Sequence, residues 1–399
     1  MTETPASSAT KRSRVQIYDE MVATTTSATT EPTLASKKLK NTSVDAFDRF
    51  YEENKDRIHM PPDQTYPRDE DAVKVVSDEL SKSTRCDALL GRLLTVGLHH
   101  ISFAQFYQAL QQAAYEAVAR CESENRNIYL FVYGDIRKSN LWCTLLVWPI
   151  IRQRVIKITS EGTFKINIKP DEKLMLLQVD DAMYAGQQVY QGMTTVRAQG
   201  YGEMYGSDGR LVWCVLVAAA TSVGLQHVKA VSPMVSVLGE GTTLIKINTV
   251  EEVGKTIMSD ADLAEAKRCA MEKDGFFAKT AQFKFHNFSS TITLTYLDHK
   301  MPDNYSTNNV AIAYAPTPGP GAEKMTLHHL VKGCKLKSST GNIPKTNVVW
   351  RDFKLTAEDA QACPPSFVKT IRYLIKGDDR TFDSFSFGGR VENILRAYD

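Results

Sequence analysis

Between about residues 100 and 260, short apolar runs alternate with longer stretches in which apolar residues recur at helical spacing. The runs are Ile128 to Tyr133, Leu174 to Val179, Leu211 to Ala219 and Thr243 to Asn248, and all but the last are almost unbroken. Strands buried on both faces read this way, because helices cover the sheet from both sides. The helical stretches carry a stripe instead, as in Phe103, Phe106, Tyr107, Leu110, Ala114 and Val118 after Ser102. The alternation predicts a three-layer α/β core built on a parallel sheet. Arg154–Ile158 and Phe164–Ile168 read as a hairpin around Glu161-Gly162.

On either side the pattern changes. Phe47, Phe50 and Tyr51 recur helically before Pro61-Pro62, and residues 70–97 continue in helical style. After the core, Asp260–Lys273 is amphipathic. Thr291–Leu297 alternates threonines with Ile292, Leu294 and Tyr296, the mark of a half-buried strand. Asp298-His299 then opens a polar turn, Pro316–Gly321 is a turn-rich linker, and a strand near Val348 and helices at Thr356–Ala362 and Ser366–Ile375 follow. The expected organisation is a disordered tail (1–43), a helical extension (44–98), the α/β core (99–259) and an α+β C-terminal region (260–399).

Composition narrows the setting. Residues 1–43 hold almost no large apolar side chains, so burial cannot offset the entropy of ordering them. They carry two basic clusters, Lys11–Arg14 and Lys37–Lys40, compatible with nuclear import or with solvated charge in a tail. The whole chain is 43% hydrophobic and 24% charged with a formal charge of +2, which argues for no general attraction to nucleic acid or membrane. Seven scattered cysteines without a CxxC pair suggest reduced thiols, and a cytoplasmic location is expected. No apolar stretch is long enough to span a bilayer.

The chemistry concentrates at Leu174–Val189. An apolar strand meets Asp180 and Asp181 and passes through Tyr184-Ala185-Gly186 into Gln187 and Gln188, where a helix can begin. A tight turn at a helix start directs several amides at one point and favours an anion there. Two carboxylates beside it suit hydroxyls or a divalent cation, so a ribose phosphate satisfies both halves. A second strand–loop–helix unit follows Tyr133, with Arg137, Lys138 and Ser139 in its loop.

At Asp180-Asp181-Ala182-Met183-Tyr184-Ala185-Gly186-Gln187-Gln188 the sequence resembles the phosphoribosyl-pyrophosphate (PRPP) loop of type I phosphoribosyltransferases, and Arg137-Lys138-Ser139 resembles their pyrophosphate loop. The resemblance covers residues 100–260. It implies a phosphoribosyltransferase-like core in which Asp180 and Asp181 serve catalysis and contact ribose hydroxyls or Mg²⁺. Tyr184, Ala185, Gly186, Gln187 and Gln188 would wrap the 5′-phosphate, and Arg137, Lys138 and Ser139 would face pyrophosphate. The implied ligands are PRPP with Mg²⁺ or a nucleotide, together with a nucleobase, in a homo-oligomer. A non-proline cis peptide after Tyr133 and base contacts from a neighbouring loop such as Asp298–Tyr305 are further implications.

Tyr184, Gln187 and Gln188 stand where the family often has small hydroxyl residues, and no glycine follows Arg137. These departures support the alternative of a catalytically inactive nucleotide sensor or scaffold on the same fold. A phosphohydrolase fits less well, since its nucleophile usually sits in D-x-D spacing. Neither His99-His100 nor His328-His329 has the ligand set of a zinc site.

Overall fold

The structure, a computed structural model, describes residues 42–58, 68–71, 73–74, 78, 85–132, 139–159, 166, 168–198, 208–231, 235–271, 293, 295–299, 311–313 and 324–326. Several expected features lie outside these residues: Arg137 and Lys138, the peptide after Tyr133, the basic clusters of the tail, Pro316–Gly321, His328-His329 and the elements beyond 343.

In chain order the described elements are α1 (Thr42–Asn54), α2 (Arg85–Gly97), β1 (His99–Ile101), α3 (Phe103–Glu124), β2 (Asn127–Phe131), α4 (Ser139–Ile151), β3 (Val155–Thr159), β4 (Leu174–Val179), β5 (Ala182–Met183) and α5 (Gln187–Ala198). They continue with β6 (Leu211–Leu216), β7 (Ala219–Thr221), α6 (Ser222–Val231), β8 (Val235–Val237), β9 (Ile245–Ile247), α7 (Val250–Ile257), α8 (Asp260–Met271), β10 (Thr295–Leu297), β11 (Ala311–Ala313) and β12 (Lys324–Thr326).

The protein is α/β, and its centre is a five-stranded parallel sheet in the order β3-β2-β4-β6-β8. Along β2 the pleat sends Ile128 and Leu130 to one side and Tyr129 and Phe131 to the other. The first side packs on Phe47 and Phe50 of α1, Phe106 and Leu110 of α3, and Trp142 and Trp148 of α4. The second packs on Val189 and Met193 of α5 and Val228 of α6. Helix α4 is apolar around nearly its whole girth, and all but two of its residues are buried.

Three features differ from the sequence expectation. β3 is the parallel edge strand beside β2, and Ile166 and Ile168, from the expected second hairpin arm, lie buried outside any strand. The apolar run from Leu211 divides into β6 and β7, and β9 joins a separate three-stranded parallel sheet, β5-β7-β9. β1, for which the sequence carries no strand pattern, pairs in parallel with β10, which ties the C-terminal region to the start of the core.

At the amino ends of the central strands, Arg126 gathers three carbonyls. Its guanidinium donates to Leu174 O at 3.3 Å, Arg210 O at 3.2 Å and Gly209 O at 2.8 Å, and it also pairs with Glu124. Among the described residues no helix is long and apolar enough to cross a membrane.

Candidate functional site

Counting only the strands of the central sheet, the spatial order is second, first, third, fourth, fifth, so the winding direction reverses between β2 and β4. Loops leaving the carboxyl ends of two such strands diverge to opposite faces and open a crevice between them, where open α/β sheets bind ligands. α4, the helix after β2, begins at Ser139, and Asp180 and Asp181 follow β4. They meet directly: Ser139 Oγ, at the first residue of α4, donates to Asp180 Oδ1 at 2.8 Å. The Asn140 side chain donates to Val179 O. Asp180 Oδ1 also accepts the Asp181 amide at 2.9 Å, and the start of α4 favours that negative charge.

The acids do not stand at the open rim. The strand was expected to end at Val179, but the backbone ladder continues through it. Asp180 N donates to Leu216 O at 2.9 Å and Ala218 N donates to Asp181 O at 3.1 Å, after which β5 pairs with β7. Both carboxylates are consequently enclosed, with Asp180 at 2% and Asp181 at 1% exposure. Asp181 Oδ1 accepts the Ala182 amide at 2.7 Å, and Oδ2 lies 3.5 Å from His299 Nε2.

His299 is the residue that sequence reasoning placed least well. It follows β10, is itself buried, and its ring lies 4.5 Å from that of Phe106 and 4.6 Å from that of Trp142. Its neighbour Asp298 bonds His100 Nε2 at 2.7 Å through Oδ1 and accepts the Phe103 amide at 2.7 Å through Oδ2. The alternation of residues 291–297 marked a strand running into this turn, but no local signal says which part of the sheet it joins.

The rim proper is the turn at Tyr184-Ala185-Gly186. Thr221 Oγ1 donates to Tyr184 O, and His227 Nδ1 lies 2.8 Å from Ala185 O. A carbonyl can only accept, so this contact places a proton on Nδ1. Peptide planarity then directs the amides of Ala185 and Gly186 to the opposite side, away from α6. Gly186 has φ +71°, and a Cβ there would stand 2.9 Å from Gly224 O; a Cβ on Gly224 would stand 2.8 Å from Tyr184 O. The two glycines let the turn and α6 touch backbone to backbone. Gly186 O accepts the Tyr190 amide as α5 begins, Gln187 is exposed, and Gln188 follows it in the helix. Tyr184 is half-buried, packed against the core on the α3 and α4 side.

Of the expected site residues, the structure thus brings Ser139, Asp180 and Asp181 together and sets Tyr184 to Gln188 immediately after them. For a metal, magnesium asks for one or two carboxylates plus waters and ligand phosphates. Asp180 and Asp181 supply carboxylates of that kind, although their oxygens are engaged by Ser139 and by backbone amides. Among the described residues no group of three or more His, Cys, Asp or Glu side chains forms a ready metal cage. No known protein family matches the chain, and no curated protein does either.

Proposed function

We propose that this protein is phosphoribosyltransferase-like and binds PRPP or a nucleotide in the crevice between β2 and β4. The observation that carries this is the Ser139–Asp180 bond at the point where the winding reverses, since it joins the two loops that would share a sugar phosphate. The turn at Ala185-Gly186, with the Tyr184 carbonyl held by Thr221 at the end of β7, the Ala185 carbonyl held by His227 of α6 and its amides directed away, has the polarity an anion requires, and the first amides of α5 add to it. Arg137 and Lys138 would complete the charge balance on the pyrophosphate side.

In the catalytic form of this reading, the phosphoribosyl group passes to or from a nucleobase with pyrophosphate as the leaving group. Asp180 and Asp181 orient the ribose hydroxyls and the Mg²⁺ carried by PRPP, and Asp181 offsets positive charge developing on the sugar. Mg²⁺ would neutralise charge on the departing pyrophosphate. The second reading, a sensor or scaffold that binds without transfer, draws support from the enclosure of both carboxylates.

Calorimetric titration of the full chain with PRPP and Mg²⁺, repeated on Asp180→Asn/Asp181→Asn, tests the proposal. Binding that the double variant loses, with pyrophosphate released when a nucleobase is added, supports the transferase. Binding without release for any base supports the sensor. An intact protein that binds neither PRPP nor a nucleotide overturns both.

A further inference from the structure

We infer that the crevice between β2 and β4 selects a ribose 5-phosphate ester, such as a nucleoside 5′-monophosphate, and gains nothing from a pyrophosphate on the same sugar. The inference rests on the reading that a sugar phosphate binds there, and within that reading it chooses the nucleotide over PRPP. Two helices begin beside the crevice, α4 after β2 and α5 after β4 and β5. A ligand with phosphate groups on both C1 and C5 of its ribose needs an anion position at each helix.

At α4 the anion is already part of the chain. Ser139 Oγ, at the first residue of the helix, gives its single proton to Asp180 Oδ1 at 2.8 Å, and the Asn140 side chain donates to Val179 O. With Asp180 at 2%, Ser139 at 7% and Asn140 at 1% exposure, the carboxylate and both side chains at the helix start are engaged inside the protein. A carboxylate there supplies the negative charge that a helix start favours, and it repels a second anion brought beside it.

At α5 the opposite holds. No acid lies in its first turn, and the chain leading into it is held from the side of β7 and α6. Thr221 Oγ1 accepts the Gly224 amide at 2.9 Å and donates to Tyr184 O. His227 donates through Nδ1 to Ala185 O at 2.8 Å and stacks on Tyr190 of α5, with ring centroids 5.1 Å apart. At Gly186 a Cβ would stand 2.9 Å from Gly224 O and 3.0 Å from Val228 Cγ2, so the backbone has no room on that side. The amides of Ala185 and Gly186 therefore face the other way, with the polarity that suits one phosphate. Among the described residues, one anion position is filled by Asp180 and the other is not, which fits a ligand carrying a single phosphate group.

The test titrates the full chain calorimetrically with ribose 5-phosphate and with PRPP, in the same Mg²⁺ buffer, and repeats both on Asp180→Asn. Ribose 5-phosphate should bind, and PRPP should bind equally or more weakly. PRPP binding tighter by more than about threefold overturns the inference and leaves the phosphoribosyltransferase-like reading standing. Asp180→Asn removes the charge while keeping an oxygen for Ser139. In that variant the affinity for PRPP relative to ribose 5-phosphate should rise by about tenfold, as a like charge beside the pyrophosphate is lost. The ratio cancels any loss of folded protein or of ribose contacts that the two ligands share, and an unchanged ratio overturns the inference. If the unmodified chain binds neither sugar phosphate, the reading it rests on fails, and the inference with it.

Discussion

The two ends of the central sheet both bury charge, and they do so in opposite ways. At the amino end Arg126 meets three carbonyls and Glu124, so the single cation is surrounded by complements. At the carboxyl end two adjacent carboxylates share one small space and are held by a hydroxyl, amides and an imidazole. A buried cation satisfied by strand ends does structural work, because losing it would expose orphaned acceptors. Neighbouring acids of like charge are costly to enclose and need another reason to be there. The contrast points to a structural role at the amino end and supports the proposal of a ligand at the carboxyl end.

The strongest test of that contrast is Arg126→Met, expected to lower unfolding free energy by about 3 kcal/mol or more, because the Leu174, Gly209 and Arg210 carbonyls lose their donor, while Glu124, partly exposed, keeps Arg120. Urea denaturation reads this directly. Asp181→Asn should change stability by about 1 kcal/mol or less while weakening PRPP binding by roughly tenfold to a hundredfold, as expected for a lost charged hydrogen bond. If urea titration finds Asp181→Asn as damaging as Arg126→Met, the acids are structural and the distinction between the ends disappears.

Next in size, Gly186→Ala should cost about 1–2 kcal/mol for the left-handed backbone, and more because of the approach to Gly224. Gly241→Ala, at φ +79° with open space around it, isolates the conformational part. Equal losses in the two variants would show that the turn is not pressed against α6.

The effect that is smallest at neutral pH, and appears only in alkali, concerns the core thiols. Burial pushes Cys214 up to about 12 and Cys121 up to about 11, from 9.0. The folded state therefore holds these protons more tightly than the unfolded chain. Their contribution is complete below pH 9.0 and is lost as pH rises through the folded values. Melting temperature followed from pH 8 to 11 should fall in the wild type and fall less in Cys214→Ala; parallel curves would count against this assignment.

The strands of the central sheet differ in how plainly the sequence announces them. IYLFV, LMLLQV and LVWCVL are apolar on both faces, because helices cover both sides, and each is recognisable in isolation. Val235–Val237 and His99–Ile101 are too short to carry a period, and their pairing depends on partners distant in the chain. The extension of the strand past Val179 escapes for another reason. Ladder bonds at Asp180 and Asp181 involve backbone atoms, while the pattern records side chains, and two acids there look like an ending. Asp180, Asp181 and Gly186 stand out in the sequence because their chemistry is local. His299 does not, since nothing near residue 299 says which carboxylate it will face.

The meeting of Gly186 and Gly224 ties two positions into one evolutionary unit. A side chain at either would force α6 to withdraw from the turn, which would remove the steric constraint on the other and leave at Gly186 only the preference set by its φ of +71°. Descendants of a common ancestor that keep glycine at 186 for its backbone could still lose it at 224, whereas a side chain at 186 would release 224 altogether. Chains that kept only one would mark lineages in which the turn had already been released from the helix.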